Sequence, residues 1–125
     1  MTKFKVITVE DNKLFARILE FNLTNKLNLE IHNFSSGEEC LSNLDLNPDL
    51  IILDFTLPGI NGLETLKKIK KHNPKINVIA LSHQTNKKVI DEFIKEGALC
   101  YIDKNDNPLV ELMTYIKKIQ KSKKK

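Results

Sequence analysis

Cysteine is scarce in this chain. Cys40 and Cys100 are the only two, and they show none of the close spacing of a metal site. They read as two buried thiols in a reducing compartment. Long apolar runs are missing too. Nothing approaches the roughly 18 consecutive apolar residues of a membrane helix, and the N-terminus carries no apolar segment with a cleavage-like site. No membrane association and a cytoplasmic location are therefore expected. Aromatic residues make up 6% of the chain, and none interleave with the lysines of the basic segments. No helix-turn-helix follows the domain either, so direct nucleic-acid binding is not expected.

What is present is ordinary globular material. The 125 residues are 41% hydrophobic and 29% charged, enough for one domain with a real core. The formal charge is +4, and much of that excess lies in the lysines from Lys117 to Lys125. The expected organisation is one domain over residues 1–121, followed by a solvated Lys-rich tail over 122–125.

The stretch Leu50-Ile51-Ile52-Leu53-Asp54 is a short apolar run that stops at a carboxylate. It reads as a strand buried on both faces. Pro58-Gly59 and Asn61-Gly62 then make a tight turn ahead of a helical pattern. Other segments alternate in the same way. Strands are predicted over Phe4–Val9, Leu29–Phe34, Ile76–Leu81 and Ala98–Ile102. The first helix follows Asn12, capped by Asp11 or Asn12, with Leu14, Ile18, Phe21 or Asn22, and Asn25 on one stripe and Leu19 and Leu23 beside it. A short helix begins at Ser35-Ser36-Gly37. A third carries Leu63, Leu66 and Ile69 on one face and ends at Asn73-Pro74. A fourth spans Asn86 to Glu96 with Val89, Ile90, Phe93 and Ile94 buried, stopped by Gly97. A last helix opens at Pro108 with Leu109, Leu112, Met113, Ile116 and Ile119 inward.

Five strand–helix alternations imply right-handed crossovers, and so an α/β fold of the doubly wound, flavodoxin-like (βα)5 kind. Its five-stranded parallel sheet has the expected order 2-1-3-4-5. In that order the first and third strands are neighbours. Glu10, Asp11 and Asp54 then meet beyond the carboxyl ends of the strands, where open α/β sheets bind ligands. Three close carboxylates repel one another, and a divalent cation relieves this. All-oxygen ligands suit Mg²⁺ or Mn²⁺ rather than Zn²⁺. Lys104 supplies a positive charge and Ser82 a hydroxyl at the ends of the other strands. Asp54 is left as a nucleophile able to form an aspartyl phosphate. Each residue alone has a plainer reading: a helix cap for Asp11, a solvated acid for Glu10, a loop start for Asp54, a cap for Ser82, a surface lysine for Lys104. Their joint placement at strand ends argues for a phosphoryl site.

These residues carry a resemblance. Val9-Glu10-Asp11-Asn12, Leu53-Asp54 through Asn61-Gly62, Leu81-Ser82, and Gly97 through Tyr101-Ile102-Asp103-Lys104 together resemble a response-regulator receiver domain of two-component signalling, of the single-domain chemotaxis type. The resemblance implies a phosphorelay switch rather than an enzyme. Asp54 resembles the phosphoacceptor, taking a phosphoryl group from a phosphohistidine on a sensor histidine kinase or phosphotransfer protein. Glu10, Asp11, Asp54 and the backbone carbonyl of Thr56 resemble the Mg²⁺ ligands. Lys104 resembles the phosphoryl-contacting lysine, Ser82 the switch hydroxyl, and Tyr101 the aromatic that turns inward; packing alone is the plainer reading of Tyr101. Thr56 and Gln84 occupy positions that flank the attacking water, so they are expected to set the lifetime of the phosphorylated state. The implied output surface for a downstream protein is the fourth helix, fifth strand and fifth helix, about 86–119. A dimer through the last helix is compatible with the same pattern.

Two positions depart from the family. A proline with a cis bond often follows the lysine, whereas here Asn105 does. A cis bond before a non-proline costs about 2.5–4 kcal/mol, so a trans bond or a reshaped loop is expected. His83 replaces a small residue after the switch hydroxyl. It either narrows access for donor and water or points to solvent, and the solvent-facing arrangement is expected. The rival readings are a haloacid-dehalogenase-like phosphatase, a flavodoxin-like electron carrier and a non-phosphorylated scaffold of the same fold. The first would need a second acid where Thr56 stands. The second would need a phosphate loop where Glu10-Asp11-Asn12 stands. The third is opposed by the intact set of acids with Ser82 and Lys104.

Overall fold

The computed structural model describes residues 3–55, 57, 59–83 and 86–123. Strand β1 (Phe4–Val9) leads into helix α1 (Lys13–Lys26), and β2 (Leu29–Phe34) into α2 (Gly37–Leu41) and a 3-10 turn at Leu44–Leu46. There follow β3 (Leu50–Asp54), α3 (Gly62–His72), β4 (Asn77–Ser82), α4 (Lys87–Lys95), β5 (Cys100–Asp103) and α5 (Pro108–Lys123). All pairings are parallel, in the order β2-β1-β3-β4-β5. The doubly wound sheet expected from the alternation is the one observed.

β3 is central, and all five of its residues are buried. Alternate side chains enter different cores, as the period of two in a strand requires. Ile51 and Leu53 pack with Leu66, Ile69 and Phe93 under α3 and α4. Leu50 and Ile52 pack with Leu19, Leu23, Leu112 and Ile116 under α1 and α5. With both faces covered, the sheet reads as continuous apolar runs rather than alternating ones.

Helix starts follow local chemistry. Asn12 Oδ1 accepts from the N–H of Phe15 at 3.0 Å, so Asn12 and not Asp11 caps α1. Ser36, Asn61 and Asn86 cap α2, α3 and α4 in the same way. Gly97, at φ +110, turns the chain out of α4. The N–H of Ala98 still bonds to the carbonyl of Phe93 at 2.9 Å. That bond belongs to the helix end, so β5 starts at Cys100, two residues later than predicted. β4 is likewise shifted by one residue, to Asn77–Ser82.

The largest departure is the face of α1. Ala16, Leu19 and Leu23 are buried, whereas Leu14 and Phe21 are 70% and 69% exposed and Ile18 is 40% exposed. At 3.6 residues per turn the two sets lie on opposite sides of the helix. The helix has two apolar stripes, and the neighbours Val6, Leu50 and Ile52 took the Leu19–Leu23 one. In α4 only Phe93 is fully buried; Val89 and Ile90 are partly covered, and Ile94 is 46% exposed. Cys40 is buried, but Cys100 is only half-buried. Among the described residues, no helix is long and apolar enough to cross a membrane.

Candidate functional site

The ends of β1, β3, β4 and β5 lie side by side, and the site is assembled there. Glu10 follows β1; its N–H bonds to the carbonyl of Phe34 at 2.9 Å, extending the ladder by one residue. Asp54 is the last residue of β3 and pairs with Leu81, while Ser82 ends β4 opposite Asp103. The N–H of Lys104 bonds to the carbonyl of Ser82 at 2.9 Å, which fixes where the lysine leaves the sheet.

The structure brings Glu10, Asp11 and Asp54 together. Each offers one carboxylate oxygen, and these three atoms lie within 4.8 Å of one another. Glu10 and Asp54 are buried and Asp11 is exposed, so the cluster has a wall and an open side. The Lys104 ammonium reaches in from β5. It donates to Glu10 Oε1 at 2.5 Å and to Asp54 Oδ2 at 3.2 Å. The N–H of Asn12 also donates to Glu10, at Oε2, at 3.0 Å. Burial raises the pKa of Glu10 above its usual range, while the Lys104 and Asn12 hydrogen bonds hold that rise down.

Three carboxylates and one ammonium sum to a local charge of about −2. The donor set is all oxygen, the chemistry a hard divalent ion takes. Glu10, Asp11 and Asp54 therefore fit a hard divalent cation such as Mg²⁺.

Ser82 is buried beside this cluster, and its side chain is hydrogen-bonded to Tyr101. The Tyr101 ring stands 6.0 Å from that of Phe93, which meets the Phe55 ring edge-on at 5.4 Å. A chain of three aromatic rings thus runs from the residue after Asp54 to α4 and β5. Burial raises the pKa of Tyr101, while its hydrogen bond with Ser82 works against that rise.

His83 is exposed, and its Nδ1 lies 2.7 Å from Asn105 Oδ1. No cis peptide bond occurs among the described residues, so the bond before Asn105 is trans, as its cost predicts. Thr56 and Gln84, expected as a metal-ligating carbonyl and as flanks of an attacking water, lie outside the described residues.

Sequence reasoning missed Phe15. Its ring centroid stands 4.6 Å from the Lys104 ammonium. Its place in the first turn of the helix that follows Glu10-Asp11 was the available signal, but apolar periodicity gives such a residue only its packing against the core, which it also makes.

Comparison with known proteins gives a consistent result. The family model described as the response regulator receiver domain matches residues 6–117. The transcriptional activator protein ExaE of Pseudomonas putida is 32% identical over 86% of this chain. The chain spans about half of that relative, 51% of its length. The chemotaxis protein CheY of Thermotoga maritima is 28% identical, covering 91% of this chain and 98% of CheY. The solved structure of the phosphorylated cyanobacterial phytochrome response regulator RcpA superposes with a TM-score of 0.80 at 32% identity, covering 95% of this chain and 92% of that one.

Proposed function

Because this chain belongs to the response regulator receiver domains of two-component signalling, we propose that it accepts a phosphoryl group on Asp54 and reports it at a protein-binding face. The donor is a phosphohistidine on a sensor histidine kinase or phosphotransfer protein, and small acyl phosphates substitute for it. An Asp54 carboxylate oxygen attacks phosphorus. The phosphorus–nitrogen bond breaks, and its electron pair leaves with the imidazole, which takes up a proton. A bound Mg²⁺ held by Glu10, Asp11 and Asp54 would neutralise the acids and draw charge from the phosphoryl oxygens. Lys104 contributes a point charge already poised 3.2 Å from Asp54. The observation that carries this reading is the convergence of Glu10, Asp11, Asp54 and Lys104 at one end of the sheet.

Phosphorylation then acts as a population shift. Ser82 moves its hydroxyl toward the new phosphoryl oxygens and gives up its contact with Tyr101. The freed ring changes its packing against Phe93. A partner that binds the new arrangement gains the energy difference between the two states. The proposed output face is α4–β5–α5, supported by the exposed apolar residues Ile94, Leu99 and Val110 on it. A downstream protein is the proposed occupant, with a second copy of the chain as the alternative; neither membrane nor nucleic acid is required. Thr56 and Gln84 are proposed to tune hydrolysis. Residues 1–121 form the proposed working unit, acting in the cytoplasm as a switch without turnover of its own. A phosphatase of the haloacid-dehalogenase kind is disfavoured because Thr56 cannot serve as acid and base at neutral pH.

Incubation with Mg²⁺ and acetyl phosphate tests the chemistry. The intact protein gains the mass of one phosphoryl group, while Asp54→Asn and a metal-chelated sample do not. Labelling that persists in Asp54→Asn, or steady turnover of unrelated phosphate esters, refutes the reading.

A further inference from the structure

The proposed transfer needs an ammonium held in one place, yet a lysine side chain is a flexible stem ending in a point charge. Glu10 and Asp54 hold the Lys104 ammonium at present. Both also belong to the oxygen set that fits a divalent cation. A cation drawing on those oxygens weakens the acids as partners for the lysine. The Phe15 ring is a third contact with the ammonium, at 4.6 Å, and it offers nothing to a hard metal ion. Its face attracts the charge through the ring quadrupole. It also helps keep the lysine side chain to 7% exposure, and exclusion of water strengthens the field of the charge.

The ring is itself well placed to do this. Its backbone N–H is bonded to the Asn12 cap at 3.0 Å, in the first turn of α1. The next residue, Ala16, and Leu19 are buried against the sheet. The side chain therefore leaves the helix at a fixed point, with its ring against the ammonium of Lys104 just beyond β5.

We infer that Phe15 is a positioning residue for phosphoryl transfer, holding the Lys104 ammonium beside Asp54 through a cation–π contact. The inference rests on the proposed role of Asp54 as phosphoacceptor. It differs from ordinary packing in what it demands of position 15: a π face, rather than apolar volume.

Four variants separate these roles. Phe15→Leu keeps apolar bulk and removes the ring, whereas Phe15→Tyr and Phe15→Trp keep a ring face. Lys104→Met removes the charge. Initial rates of Asp54 phosphorylation are measured with acetyl phosphate at saturating Mg²⁺. The leucine variant is expected to be about three- to tenfold slower, and the tyrosine and tryptophan variants to stay within about twofold of the unaltered protein. In the Lys104→Met background, Phe15→Leu is expected to change the residual rate no further. Wild-type rates for Phe15→Leu, equal slowing in all three Phe15 variants, or undiminished slowing without Lys104 would each overturn the inference.

A double-mutant cycle on unfolding free energy, with Phe15→Leu and Lys104→Met, needs no phosphoryl chemistry. Coupling in that cycle with no phosphorylation of the unaltered protein would sink the receiver reading and leave the ring–ammonium contact standing. Normal phosphorylation with no coupling would sink the Phe15 inference alone.

Discussion

His83 and Asn105, the two positions read from the sequence as departures from the receiver pattern, are hydrogen-bonded to each other. Nδ1 of the histidine lies 2.7 Å from Oδ1 of the asparagine, and the asparagine amide donates to the His83 carbonyl at 3.4 Å. The bond ties the loop after β4 to the loop after β5, directly beyond Ser82 and Lys104. The backbone N–H of Asn105 is held in turn by Asp103 Oδ1 at 2.8 Å. Each departure makes sense through the other. His83→Ala and Asn105→Ala should each cost about 0.5–1 kcal/mol, and the double variant little more than either alone. Chemical denaturation checks this; full additivity would show that the two side chains do not act as a pair.

Gly62 is where the fold and the site constrain each other. A Cβ there would stand 2.7 Å from the Asp54 carbonyl oxygen and 2.7 Å from the Phe55 Cα. Both are backbone atoms, so neither can rotate away. The first residue of α3 must be glycine for the helix to approach the strand that carries Asp54. Gly62→Ala is expected to lose about 1–3 kcal/mol of stability, even though alanine is the better helix former. Thermal unfolding measures the loss. A variant as stable as the original would mean that α3 can move away from β3 without consequence.

The two apolar stripes of α1 give opposite responses to substitution. Leu19→Ala should cost about 2–5 kcal/mol, because it empties a fully buried position. Phe21→Lys, at a site 69% exposed, should stay within about 0.5 kcal/mol. Urea titrations of the two variants decide which face is packed. The reverse order of effects would restore the stripe that periodicity favoured.

That helix also marks the limit of what the sequence discloses. Strand identity was legible because Leu50–Leu53 and its counterparts are apolar runs bounded by turns, as a sheet covered on both faces requires, whereas the order 2-1-3-4-5 was an expectation of the doubly wound fold and is not written in the runs themselves. Glu10, Asp11, Asp54, Ser82 and Lys104 were legible as one group because each stands at a strand end and the topology brings those ends together. The choice of face on α1 was not legible, since Leu14–Ile18–Phe21 and Leu19–Leu23 are both apolar at helical spacing. Nor was the Phe15–Lys104 contact, or the pairing of His83 with Asn105. These join residues 89 and 22 positions apart through side chains whose types carry no sequence signal for contact.

Cys40 predicts the alkaline behaviour of the core. Burial pushes its thiol up to about 12, from an ordinary value of 9.0. Between those values the folded protein keeps a proton that the unfolded chain releases. Stability should therefore fall as pH rises above about 9, with the thiol's contribution to the fall ending near 12. Cys40→Ala should show a shallower fall over that window when denaturation midpoints are followed from pH 8 to 11. Identical slopes would mean that the thiol ionises in the folded state as readily as in the unfolded one. Native Cys40 should also resist alkylation at pH 8, because the thiolate is the reactive form.

The most direct measurement of the central claim is chemical trapping of the phosphorylated side chain. Protein treated with Mg²⁺ and acetyl phosphate is reduced with borohydride, which converts an aspartyl phosphate to homoserine, and is then sequenced by tandem mass spectrometry. The account predicts homoserine at position 54 and at no other acid, and none when Mg²⁺ is withheld. Homoserine at a different position, or an unaltered Asp54 after full treatment, would contradict it.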